Sequence, residues 1–129
     1  MAITNLTEST FEDVLTAQEG IVLIDFWAPW CGPCRVFGPI FEAAAEKYPD
    51  ITFAKVNTQD EPGLAGALQI SAIPTLMILR DGVLVFRQPG ALNARMLDEL
   101  IGKVQELDMA DVRRQIAEAQ AAQPAAASA

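Results

Sequence analysis

The sequence predicts an α/β fold in which one mixed β-sheet is flanked by helices. Two β-branched and aromatic runs, 21–28 and 51–57, have the composition of strands buried on both faces, and helical patterns alternate with them. Asp81-Gly82 then separates two further apolar runs, which is a strong signal for an antiparallel hairpin. Alternation followed by a hairpin predicts a sheet that is parallel in part, with an antiparallel edge. We expect four to five strands and about four helices.

The first half of the chain supplies the parallel part of this sheet. A short initial strand is weakly indicated at residues 2–5. Ser9 and Glu12 have the spacing of a capping box, which predicts that a first helix begins there. The first buried run is followed by helical spacing of apolar residues over 34–48, and Pro39 in its middle predicts a kink.

The second half contains a short helix, the hairpin and a longer helix. Residues 60–70 suit the short helix, with Asp60 as its cap and Pro62 in its first turn. Asn93 is expected to cap the longer helix. Its apolar face is predicted to comprise Met96, Leu97, Leu100, Ile101, Val104 and Leu107.

The chain divides by composition into a domain at residues 1–107 and a C-terminal extension at 108–129. The extension could begin with a short amphipathic helix through Val112 and Ile116. Its last residues are Ala-rich and contain no core-forming side chain, so we expect a mobile tail.

Composition excludes several classes of function. The formal net charge of −8 argues against a nucleic-acid partner, because such binding needs a basic patch. No apolar run approaches the roughly 18 residues that span a bilayer, so we expect no membrane association. The first twenty residues hold no Lys or Arg, unlike the basic start of a secretory signal. We therefore expect a cytoplasmic protein.

The two cysteines of the chain, Cys31 and Cys34, lie where a buried strand is expected to pass into a helix. The first turn of a helix offers unpaired N–H groups and a partial positive charge, and both favour a thiolate over a thiol. We expect Cys31 to be the exposed nucleophile and Cys34, one turn on, to close a small disulfide with it. Gly32 would let a partner backbone approach, and Pro33 would start the helix without losing a hydrogen bond.

A zinc site is the alternative use of such thiols. Structural zinc commonly takes four Cys or His ligands, whereas this chain has two cysteines and no histidine. We therefore expect no metal unless two chains share one.

Asp25 is the second residue with expected chemistry, because it lies within an apolar run. A buried carboxylate without a partner is costly, so its pKa should rise and it could accept a proton near neutral pH. The alternative is an aspartate that caps a turn.

The motif WCGPC at 30–34, preceded by DFWA at 25–28, resembles the thioredoxin family, and so does Ile73-Pro74-Thr75. The similarity covers roughly residues 3–107 and implies a thioredoxin fold. Further matching positions are Lys55, Asp81-Gly82 and Gly90-Ala91. Arg35 departs from the lysine that is more common after the motif, but it keeps the charge.

The resemblance implies roles for individual residues. Asp25 would take the proton of Cys34 as that residue attacks, and Lys55 would tune Asp25, unless Lys55 is an ordinary solvated strand residue. Pro74 would follow a cis peptide bond, which leaves the backbone of Ile73 free to pair with an extended substrate. A docking surface for substrates would comprise Trp30, Ile73, Pro74, Gly90 and Ala91. Gly32 and Pro33, between the cysteines, would help set the redox potential.

The implied function is that of a protein-disulfide reductase, a thiol–disulfide oxidoreductase that carries electrons in cell redox homeostasis. Its partners would be disulfide-containing proteins and a flavin-containing thioredoxin reductase that uses NADPH. No bound cofactor is expected, because the chain has no Gly-rich dinucleotide motif. We expect a monomer. Two alternatives stay open: a disulfide oxidase or isomerase with the same fold, and a binding module that uses the docking surface alone.

Overall fold

The computed structural model describes residues 3–17 and 19–122. This part of the chain forms five strands and five helices. In chain order they are β1 (Ile3–Asn5), α1 (Glu8–Ala17), β2 (Ile21–Trp27), α2 (Gly32–Lys47), β3 (Thr52–Asn57), α3 (Pro62–Ala67), β4 (Thr75–Arg80), β5 (Val83–Pro89), α4 (Ala94–Gln105) and α5 (Met109–Ala121).

The strands form one mixed sheet in the order β1-β3-β2-β4-β5. Strands β1, β3 and β2 are parallel, β4 is antiparallel to β2, and β5 is antiparallel to β4. The prediction of a partly parallel sheet with an antiparallel edge is therefore confirmed. At the hairpin, Asp81 and Gly82 have φ angles of 52° and 81°, as a two-residue turn between twisted strands requires.

The two faces of the sheet pack against different helices. Val22, Ile24 and Phe26 of β2 lie in one buried cluster with residues of α1 and α3. Leu23 lies in the opposite cluster, with residues of α2 and α4. Because successive side chains of a strand point to opposite faces, Asp25 lies on the same face as Leu23, which α2 and α4 cover.

The predicted start of α1 is wrong, because the helix begins at Glu8 and not after Ser9. The N–H of Thr7 donates to Oγ1 of Thr10 over 2.9 Å, which is the backward half of a capping box two residues earlier than expected. Leu6 and Phe11 flank this turn and are buried in the same cluster. Their spacing and joint burial are those of a hydrophobic staple, which favours Thr7 over Ser9 as the cap.

The predicted cap of α3 is also wrong, because Glu61 and not Asp60 occupies the position before the helix. Asp60 belongs to the preceding turn, where its N–H donates to the carbonyl of Asn57 over 3.1 Å. The Glu61 side chain accepts the Glu8 N–H over 2.9 Å, so it joins α3 to the start of α1. Pro62 is the first residue of the helix, consistent with its expected place in the first turn.

Helix α4 has the expected cap, since Asn93 Oδ1 accepts the N–H of Met96 over 2.8 Å. Its predicted apolar face is right except for Met96, which is 47% exposed. Met96 precedes the buried Leu97 by one residue, about 100° around the helix, and so lies beyond the edge of the packed face. In α2, Pro39 lies within a helix that the structure assigns continuously, and the kink there stays a prediction.

The extension begins with a helix, as expected, and Asp108 caps it by accepting the Asp111 N–H over 3.2 Å. Met109 is buried, whereas Ile116 is exposed. Nη1 of Arg80 donates to the carbonyls of Val104 and Leu107 over 2.7 and 2.8 Å, which ties the junction of α4 and α5 to the end of β4. The predicted mobile tail lies partly in residues 123–129, outside the described residues, and the domain division stays a prediction.

Within the described residues, none of the helices combines the length and the apolar character needed to span a bilayer.

Candidate active site

Cys31 and Cys34 form a disulfide at the amino end of α2, with their Cα atoms 5.2 Å apart. Cys31 is the N-cap residue, and its Sγ accepts the N–H of Cys34 over 3.2 Å. Gly32 and Pro33 are the first two residues of the helix, where a proline ring removes no hydrogen bond. The Cys31 sulfur therefore lies at the partially positive end of a 16-residue helix, which favours a thiolate there once the disulfide is reduced.

The expected difference in exposure between the two cysteines is wrong. Cys31 is 4% exposed and Cys34 is 5% exposed, so both are buried. Ala28 lies in one buried cluster with the two cysteines, and Trp27 and Ile73 pack against that cluster. The two residues differ instead in what surrounds them.

Cys31 faces the loop before β4, where its Sγ lies 3.6 Å from the carbonyl oxygen of Ile73. The Ile73–Pro74 peptide bond is cis, as expected. The carbonyl of Pro74 accepts the N–H of Gly90 over 2.8 Å, which brings the two predicted docking loops together. Gly90 has a φ of 103°, a left-handed conformation that favours glycine.

The remaining predicted docking residues differ in exposure. Trp30 is 66% exposed beside the motif, and Ala91 is exposed as well. Ile73 is half-buried, and Pro74 is buried. Trp30 and Ile73 also border a depression of about 200 Å³ with Thr58. The exposed part of the predicted docking surface is therefore formed by Trp30, Ile73, Gly90 and Ala91, whereas Pro74 is buried.

Asp25 lies in the middle of β2 and its side chain is 0% exposed. Neither carboxylate oxygen has a hydrogen-bond partner among the described residues. Burial raises the pKa of this carboxyl group to about 7, although the positive charge of Lys55 lowers it in part. The alternative in which Asp25 caps a turn is wrong, because the residue is central in a strand and accepts no such bond.

Lys55 is the register partner of Asp25 on the neighbouring strand β3. Its Nζ lies 4.8 Å from the ring centroid of Trp27, in a cation–π contact. The same amine lies 3.9 Å from the point that a Cβ on Gly38 would occupy. A Cβ at this position would be in ordinary van der Waals contact with the amine. Sequence reasoning did not single out Gly38, although a glycine inside a helix is unfavourable and therefore a visible signal.

A cavity of about 210 Å³ extends between Cys34 and Lys55 and is bordered by Gly38 and Arg35. This volume is several times the roughly 30 Å³ that one water molecule occupies in the liquid, so the cavity has room for water. Cys34 thus borders a cavity that is partly open to solvent, whereas Cys31 faces the Ile73 carbonyl. No cluster of three potential metal ligands lies together in residues 3–17 and 19–122.

Comparisons with known proteins agree with this geometry. The sequence matches the thioredoxin family model over residues 2–104. It is 54% identical over 116 residues to a Streptomyces coelicolor protein described as "Putative thioredoxin 2", covering 90% of this chain and 86% of that protein. It is 40% identical over 99 residues to thioredoxin 1 of Synechococcus elongatus, covering 76% and 92% of the two chains.

Among solved structures, a chloroplastic thioredoxin z has a similar fold, with a TM-score of 0.76 at 24% identity. The match covers 81% of this chain and 96% of that one. The family match, the relatives and the paired cysteines at the start of α2 show that this chain is a thiol–disulfide oxidoreductase that belongs to the thioredoxin family.

Proposed function

We propose that this protein reduces protein disulfides through attack by Cys31, resolution by Cys34 and proton acceptance by Asp25. The observation that carries the proposal is the position of the Cys31 sulfur. It caps α2, accepts the Cys34 N–H over 3.2 Å and faces the Ile73 carbonyl at 3.6 Å. A thiolate at this position is stabilised by the helix terminus and lies beside the proposed docking surface for an extended substrate.

In the first step the Cys31 thiolate attacks one sulfur of the substrate disulfide. The substrate S–S bond breaks, a mixed disulfide forms on Cys31, and the leaving thiolate takes up a proton from water. Trp30, Ile73, Gly90 and Ala91 are the residues we propose to contact the substrate chain around that sulfur.

In the second step the Cys34 thiol must lose its proton before it can attack the mixed disulfide. A carboxyl group with a pKa of about 7 is matched to accept a proton near neutral pH. Asp25 lies on the sheet face that α2 covers, and its register partner Lys55 borders the cavity at Cys34, which has room for the water that would carry the proton. Cys34 then bonds to Cys31, and the second substrate thiolate leaves.

Each cycle reduces one substrate disulfide by two electrons and leaves Cys31–Cys34 oxidised. We propose that a flavin-containing thioredoxin reductase restores the dithiol with electrons from NADPH, since the chain has no dinucleotide motif of its own. Lys55 tunes Asp25 through its charge, and Gly32 and Pro33 help set the potential of the couple. Such a reductase is suited to the cytoplasm, where thiols are kept reduced, and we propose that it works there as a monomer.

Replacing Cys31 with serine is expected to abolish NADPH-coupled reduction of insulin disulfides in the presence of a thioredoxin reductase. A serine hydroxyl does not ionise near neutral pH, so no nucleophile remains at the start of α2. Turnover is measured as NADPH oxidation, and circular dichroism checks that the variant is folded. The proposal fails if the wild-type protein shows no turnover with a competent reductase, or if Cys31→Ser retains it.

Deleting the extension after Leu107 is expected to leave insulin reduction within about twofold of the full chain. Helix α5 begins two residues after Leu107, whose carbonyl accepts a hydrogen bond from Arg80 at the end of β4, roughly 17 Å along that strand from the Pro74 end. The deletion exposes the surface that Met109 covers, so a loss of about 2 kcal/mol in the free energy of unfolding is expected. A large loss of turnover with a small loss of stability would instead show that the extension acts at Cys31.

A further inference from the structure

Arg35 makes a contact that its charge alone does not explain. Its Nε and Nη2 atoms donate to the same acceptor, the carbonyl oxygen of Pro29, over 3.2 and 3.1 Å. A guanidinium group is planar and presents its donors in a rigid fork, so two bonds to one oxygen define the position of that carbonyl closely. Pro29 lies in the short segment that joins β2 to α2.

This segment determines where Cys31 lies. The Cys31 N–H donates to the carbonyl of Ala28 over 3.2 Å, and the Arg35 N–H donates to the carbonyl of Cys31 over 3.3 Å. The Arg35 side chain reaches back across the same turn to Pro29. The main chain of Arg35 therefore binds Cys31 at one end of this loop, and its side chain binds Pro29 near the other end.

The contact matters most when the disulfide is open. In the oxidised protein, the bond to Cys34 holds Cys31 at the helix terminus. In the dithiol form that covalent link is absent, and the position of Cys31 depends on the main-chain bonds and on the hold of Arg35 on Pro29. A Cys31 sulfur that leaves the Cys34 N–H loses the stabilisation that the helix terminus gives to its thiolate.

We propose that Arg35 is a positioning residue that holds the Ala28–Cys31 turn through Pro29 and so keeps the Cys31 thiolate at the start of α2. The inference rests on the proposed function, in which Cys31 is the nucleophile. Arg35 touches no substrate in this proposal and acts through the backbone.

The test measures alkylation of Cys31 by iodoacetamide in the reduced full chain at pH 7, followed by mass spectrometry. Arg35→Met keeps the aliphatic stem and removes every donor, and it is expected to slow alkylation about fivefold, the ratio that one modest hydrogen bond supports. Arg35→Lys keeps the charge and supplies a single donor nitrogen in place of the guanidinium fork, and is expected to recover part of the rate. Arg95→Met is the matched control. Arg95 is exposed on α4, and its ion pair with Glu99, at 3.7 Å, is a weak surface contact.

Two results would overturn the inference. One is an alkylation rate in Arg35→Met equal to that of the wild type. The other is a slowing that disappears in 1 M NaCl, where the screening length is about 3 Å, because the effect would then be one of charge and not of position. Alkylation needs neither a reductase nor a substrate protein, so this outcome is independent of whether insulin turnover supports the proposed function.

Discussion

Replacing Asp25 with asparagine is expected to stabilise the oxidised protein at pH 8 by on the order of 4 kcal/mol, while slowing its turnover. The Asp25 carboxylate is fully buried without a hydrogen-bond partner among the described residues, and burial raises its pKa to about 7. Above that pH the folded protein must hold an unpaired charge in its interior. An asparagine has nearly the same shape and no charge, so it removes that cost.

The stabilisation should depend on pH in a defined way. Because the folded pKa of Asp25 exceeds its unfolded value of 3.8, the folded state binds more protons between the two values. The free energy of unfolding of the wild type therefore falls as the pH rises from about 4 to about 7. The difference between Asp25→Asn and the wild type should be near zero at pH 3, grow across that range and stay constant above it.

Urea unfolding of the two oxidised proteins at several pH values measures this difference. Asp98→Asn is a control of opposite sign, since Asp98 accepts from Lys47 over 2.7 Å and from Tyr48 over 3.0 Å. The hydrogen bond from Lys47, followed by that from Tyr48, lowers the pKa of Asp98, so its contribution is present at neutral pH and lost as the pH falls. A stability difference for Asp25→Asn that does not vary with pH would contradict the assignment of the charge to Asp25.

The same substitution tests the catalytic role of Asp25. An asparagine cannot accept the Cys34 proton, so release of substrate from the mixed disulfide at pH 7 should slow about a hundredfold, the low end of the range for a positioned general base. Formation of the mixed disulfide by Cys31 should change much less. Rapid-mixing kinetics separate the two steps, and an unchanged release rate would remove Asp25 from the mechanism while leaving the stability prediction intact.

Replacing Cys34 with serine is expected to trap the mixed disulfide between Cys31 and a substrate protein. Attack by Cys31 remains possible in this variant, but no internal thiol can resolve the product, so its lifetime is set by external thiols. Cys31→Ser is the matched variant, and it should accumulate little of the adduct because its remaining thiol, Cys34, lies inside the first turn of α2 and not at the N-cap position beside the Ile73 carbonyl. Non-reducing electrophoresis with mass spectrometry measures both adducts.

Comparing these two variants identifies which cysteine attacks the substrate. The nearly equal burial of the two residues does not distinguish their roles. Preferential trapping on Cys31 would follow from its place at the helix terminus beside the Ile73 carbonyl. Trapping on Cys34 in Cys31→Ser, with none in Cys34→Ser, would reverse the proposed roles.

Much of the fold could be predicted because its signals are local. The β-branched run at 21–28 and Asp81-Gly82 report backbone preferences of neighbouring residues, and both elements form as expected. Asn93 caps α4 through an atom three residues away, which a short motif can predict. The burial of Asp25 followed from its immediate neighbours in the chain.

The errors in the helix starts arose where contacts outside the cap residues selected one of two neighbouring candidates. Thr7 and Ser9 are both good caps, and the joint burial of Leu6 and Phe11 selects Thr7. Asp60 and Glu61 are the two candidates for the position before α3, and Glu61 occupies it. Its side chain binds Glu8, which lies 53 positions earlier in the chain. Local spacing does not contain the Glu61–Glu8 contact, whereas Leu6 and Phe11 are five residues apart and their staple spacing was a local signal that the prediction did not use.

The sequence by itself determined the redox pair, its place between a buried strand and a helix, and the buried carboxylate, because each depends on residues close together in the chain. Only the tertiary structure decided how the site is arranged around them. It buries Cys31 as deeply as Cys34, places Lys55 between Trp27 and Gly38, and turns Arg35 back onto Pro29. These contacts depend on how strands and helices pack, and packing is set by the whole core rather than by any single segment.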